Sequence, residues 1–156
     1  MSQSIIVDHF TNEFFDILHE TFEKVQGIYL DRGTSLVETL DTISAEVASR
    51  PVSENCASIA AQVEHICYYL DVLGMYMQDK KPENVDWKHI WKTVESVTPE
   101  AWKASKNRLK ASYQAILTLT KNFTWQNPDE IGGAIAIVVH TAYHLGEIRQ
   151  ALCTVK

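Results

Sequence analysis

The sequence predicts an all-α protein, and three observations carry that expectation. Apolar residues recur at three- and four-residue spacing through four long segments. Only 6 glycines and 4 prolines occur in 156 residues, which leaves those segments room to run. Strict apolar–polar alternation and Asn-Gly or Asp-Gly turns are missing, so strands have no support. The length suits one domain with a sizeable core. The expected arrangement is a bundle of four main helices with a short additional helix.

The first helix is expected from about Ile5 to Tyr29, where Ile6, Phe10, Phe14, Ile17, Leu18, Phe22 and Val25 share helical spacing. Gly27 and the Asp-Arg-Gly at 31–33 mark its breakdown. The short helix follows near 34–48: Ser35 and Glu38 form a capping box, and Leu36, Leu40, Ile43 and Val47 line one face. Pro51 stops it. A third helix is expected from near Asn55 to about Gln78, with Ile59, Val63, Ile66, Leu70 and Leu73 as its stripe. The polar stretch DKKPENVDWKHIW then crosses to the next helix and packs through Trp87 and Trp91. Thr98-Pro99 and Asn127-Pro128 open the last two long helices, a cap followed by proline at the first helical position. Glu100 and Glu130 suit the positive ends of those helices. They run to about Lys121 and about Cys153.

Composition narrows the function. With 46% hydrophobic and 22% charged residues the chain has the make-up of a folded domain rather than a disordered one. A net charge of -6 argues against nucleic-acid binding. Lys103, Lys106, Arg108 and Lys110 spread around their helix and read as a solvated face. The N-terminal residues lack the basic run of a secretory signal, and no uninterrupted apolar stretch is long enough to predict a membrane span. The cysteines Cys56, Cys67 and Cys153 are odd in number and contain no C-x-x-C, so a disulfide framework is not expected and a cytoplasmic location fits.

The chemistry lies in the last helix, in VVHTAYHLGEIRQAL. At 100° per residue, Gly133, Ile137, His140, Thr141, His144, Ile148 and Ala151 share one seam. Ile131, Ile135, Val138, Ala142 and Leu145 make a second apolar face, suited to a central helix or to a second subunit. His140 and His144 are neighbours on the helix surface and can grip one metal ion. The other reading is that both rings are core groups donating to carbonyls. Glu147, one turn on, fits three roles: a fourth ligand, a base for a bound water, or an acceptor that orients an imidazole. A third ligand must come from another helix. His65 is the leading candidate, on the flank of its helix's stripe; His9 and His19 are rivals and His89 a weaker one. The paired E-x-x-H motifs of a di-iron bundle, a P-loop and G-x-S-x-G are all missing. Cys67 faces away from His65 and reads as a buried, inert thiol, and the four tryptophans read as packing groups before pocket-lining ones.

With these residues in view, the sequence resembles the DinB-like (DinB/YfiT) metalloenzyme superfamily. The matching segments are SIAAQVEHICYYLDVL, carrying His65, and VVHTAYHLGEIRQAL, carrying His140 and His144, with TLDTISAEVASRPV as a similar lead-in. The resemblance covers nearly the whole chain from about residue 28 and the first helix more loosely. It implies a four-helix bundle of up-down-down-up topology, and it implies that His65, His140 and His144 hold a divalent metal, commonly nickel, zinc or iron. It further implies a homodimer, and a small-molecule substrate such as a low-molecular-weight thiol. The expected activity is metal-dependent hydrolysis or thiol-dependent transfer. In the first the ion lowers the pKa of a bound water to about 7; in the second it activates a thiol. Glu147 would take the proton in either, a role that rests on its position and not on the resemblance. The competing expectation is a non-catalytic bundle for dimerisation or partner binding, with a structural or vestigial site.

Overall fold

The computed structural model describes residues 6–94 and 96–155. Among them are seven helices and no strand. Helix α1 spans Val7–Phe22, short of the expected end at Tyr29; the expected first residue, Ile5, lies outside the described residues. The early end has a physical cause. Glu20, in the last turn, has its carboxylate on the N–H groups of Gln26, Ile28, Tyr29 and Leu30 at 2.6–3.1 Å. A continuing helix would have given those donors to carbonyls four residues back. Gly27, at φ +91°, supplies the left-handed step that turns them inward.

The short helix expected near 34–48 is two: α2, Leu36–Leu40, and α3, Ala45–Ala48. The capping box forms as expected, with Glu38 N–H on Ser35 Oγ and Ser35 N–H on the Glu38 carboxylate. The division comes from a second cap, Ser44, which accepts the Val47 N–H and restarts the helix. Ser35 is fully buried, and its hydroxyl also donates to the Glu23 carbonyl at 2.8 Å, tying α2 to the end of α1. Ser35→Ala is therefore expected to cost about 2 kcal/mol. Thermal unfolding should show this as a drop of about 5 °C.

Helix α4, Ile59–Tyr76, begins after the expected Asn55, where Ser58 accepts the Ala61 N–H. The crossover contains a short helix not foreseen from its polar composition, α5, His89–Thr93. Helices α6, Pro99–Thr120, and α7, Pro128–Val155, start at the prolines that signalled them, and Thr98 caps α6 by accepting the Ala101 N–H.

Helix α4 packs against α6, α7, α3 and α5, while α1 lies on α7 and α2. Its apolar stripe supplies Ile59, Val63, Ile66 and Leu70 to a core shared with Leu18 and Phe22 of α1, Leu109 and Ile116 of α6, and Ile137, Leu145 and Ile148 of α7. Each such side chain contributes roughly 1.5–3 kcal/mol of burial. Gly133 lets α4 and α7 approach closely: a Cβ there would lie 2.5 Å from Met77 Sδ. The basic residues of α6 make surface pairs, Arg108 with Glu64 and Asp71 and Lys106 with Asp41. Among the described residues one helix, α7, is long and apolar enough by composition to cross a membrane; it packs on α4 and α1.

Candidate metal centre

The contact between α4 and α7 brings three imidazoles together. The seam expected on α7 is the side that faces the core: Ile137, Thr141, His144, Ile148 and Ala151 are buried, and His140 is half-buried. His65, buried on α4, completes the group. One ring nitrogen from each of His65, His140 and His144 lies within 4.8 Å of the others, close enough for all three to hold one metal ion. The rivals are elsewhere. His9 and His89 are exposed, and His19 faces Glu23 at 3.6 Å.

Two of the ring nitrogens, His65 Nδ1 and His140 Nε2, are buried with no hydrogen-bond partner among the described residues. Such nitrogens cost stability if nothing binds them. His144 is different. Its Nδ1 lies 2.8 Å from Glu147 Oε2 and 3.1 Å from Gln62 Oε1. A carboxylate only accepts, so Nδ1 carries the proton and donates it, leaving the Nε2 lone pair for an ion. The carboxylate of Glu147 thus stands behind the ring. Gln62 was not singled out from the sequence, although its position one turn before His65 puts it on the same face of α4.

The electrostatics suit a cation. Burial lowers the pKa of His65, opposed by the charge of Glu147. Burial, with the His144 and His65 rings beside it, takes His140 down to about 4. Burial and the His65 ring do the same to His144. All three rings are neutral near pH 7, the state a metal ligand requires. The donor set and the unpaired nitrogens therefore fit a divalent ion.

Aromatic groups fix the rings. Tyr69 meets His140 edge-on at 3.6 Å between centroids, and Trp91 from α5 lies tilted over His65 at 4.3 Å. Trp87 approaches His65 at 6.4 Å. The crossover thus roofs the cluster, while Trp102 and Trp125 are core residues. Beside the cluster a cleft of about 1020 Å³ opens, with His144, Glu147, Gln62, Trp91 and Tyr143 on its wall. Cys56 also reaches this cleft. Cys67 is fully buried and its thiol is pushed up to about 12 by burial, which makes it inert near neutral pH.

Comparison with protein-family models, curated proteins and solved structures finds no match to this chain.

Proposed function

We propose that the chain is a DinB-like metalloprotein, its four long helices forming an up-down-down-up bundle, with a divalent ion on His65, His140 and His144. The observation that carries this is the pair of buried, unpaired imidazole nitrogens in a three-histidine cluster beside an open cleft. Three neutral protein ligands leave at least one position for a substrate. When bound, such an ion supplies Lewis acidity, which makes a water or thiol proton easier to remove near neutral pH. The chain's own groups supply the rest. Tyr69 and Trp91 hold the rings in place, Gln62 and Glu147 fix the His144 tautomer, and Glu147, which also lines the cleft, takes a proton from the substrate or water. The reaction is hydrolysis or thiol-dependent transfer on a small molecule.

Calorimetric titration of chelator-treated protein with Zn²⁺ or Ni²⁺ tests this reading. The expected stoichiometry is one ion per chain. Glu147→Ala should keep that stoichiometry and weaken affinity about 10–100-fold, because it loses the acceptor that orients His144. An unchanged affinity would remove Glu147 from the site.

A second reading has its own observation. Ile135, Val139 and Tyr143 form an exposed stripe at four-residue spacing on α7, 47%, 61% and 62% exposed. Val138 and Ile135 border an apolar groove of about 280 Å³ shared with Phe10, Phe14 and Ile17 of α1. This favours a homodimer or another partner docking on the α1–α7 side, with or without catalysis. Sedimentation of wild type and Val139→Glu separates the cases: a dimer lost in the variant supports the face, and a monomeric wild type discards the homodimer.

A further inference from the structure

Building on that metal reading, we infer that the cleft beside the histidine cluster selects small molecules that carry a protonated amine. The inference starts from the charge of the wall. Two carboxylates line the cleft, Glu54 from the 51–57 segment and Glu147 from α7, and among the described residues no lysine or arginine does. Glu147 accepts a hydrogen bond from the neutral His144 ring, and among the described residues Glu54 has no ionic partner. An anionic tail that reaches past the ion would therefore meet the unpaired carboxylate of Glu54.

The second observation is aromatic. Trp91 and Tyr143 also line the cleft, at 37% and 62% exposure, and offer ring surface to whatever enters. Glu147 lies on the same wall one helical turn after Tyr143, so acid and ring face the same volume. Carboxylates interleaved with tryptophan and tyrosine faces are the chemistry that recognises organic cations. At about 1020 Å³ the cleft has room for a ligand that reaches from His144 to Glu54. The ligand class that fits has a donor head for the ion and an ammonium tail for the wall.

Three small thiols with a cationic, a neutral and an anionic tail test this: cysteamine, 2-mercaptoethanol and 3-mercaptopropionate. Each is titrated into Co²⁺-loaded protein while the thiolate-to-cobalt absorption band is followed. Affinity should fall in that order, with about tenfold between first and last. Glu54→Gln, an exposed change that leaves the histidines alone, should narrow the spread to about threefold. The comparison between wild type and variant cancels the differing acidities of the probe thiols. Normal cobalt uptake with no band from any probe, with the anionic probe bound as tightly as the cationic one, or with a spread unchanged in Glu54→Gln overturns this inference alone. No cobalt uptake overturns the metal reading and this inference with it.

Discussion

Glu20→Ala is expected to cost about 3–5 kcal/mol, a large share of the stability of a chain this size. The side chain is fully buried, yet it is not a core residue in the ordinary sense. Its two oxygens collect the N–H groups of Gln26, Ile28, Tyr29 and Leu30, which have left the helix and have no carbonyl to go to. Alanine removes all these acceptors together and leaves four donors without a protein partner around the emptied carboxylate site. Glutamine does little better, because its amide N–H₂ points a donor at donors. Melting should fall by about 10 °C in the alanine variant.

The pH dependence of that loss follows from the same contacts. Burial by itself would raise the Glu20 pKa; the four backbone donors outweigh it and bring the carboxyl from 4.5 to about 2. A depressed carboxyl stabilises the fold above its unfolded value and ceases to do so as pH falls through the folded one. The stability gap between wild type and Glu20→Ala should therefore be full above about pH 4.5 and shrink toward pH 2. A gap that is small near neutral pH, or that stays constant into acid, would contradict this account of the 26–30 segment.

Metal loading is expected to produce the second large effect. An ion at 1,000 times its dissociation constant stabilises the state that binds it by about 4 kcal/mol. For a chain of this length that raises melting by about 10 °C, and chelator should reverse it. In His65→Ala, His140→Ala and His144→Ala the shift should vanish. The metal-free melting temperature of His65→Ala should move much less, since lost packing is offset by removing an unpaired buried nitrogen. Calorimetry of each variant with and without Zn²⁺ reads both quantities. A shift of equal size in wild type and variants would place any bound metal elsewhere.

Much of this was legible in the sequence because it is local. The spacing of His140 and His144 puts both on the seam of α7 whatever the helix packs against. The Ser35–Glu38 box and the Thr98-Pro99 start are likewise contained within four residues. What stayed hidden depends on contacts distant in sequence or on a competing acceptor. Glu20 reads as one more polar residue on a helix, and nothing nearby says that a loop will fold back over it. Expected helix α1 ran on to Tyr29 for that reason. The crossover's polar composition concealed α5, which is held by Trp91 on His65 rather than by a stripe of its own. The sequence already favours His65 over His9 and His19 for its place on the flank of its stripe; that it reaches the α7 pair needed the α4–α7 contact, which periodicity does not supply.

The most direct test is elemental analysis of untagged protein, purified without chelator, beside the three histidine variants. The account predicts about one divalent ion per chain in the wild type and its loss in each of His65→Ala, His140→Ala and His144→Ala. Wild-type protein that neither carries nor takes up an ion, or variants that keep theirs, would contradict it.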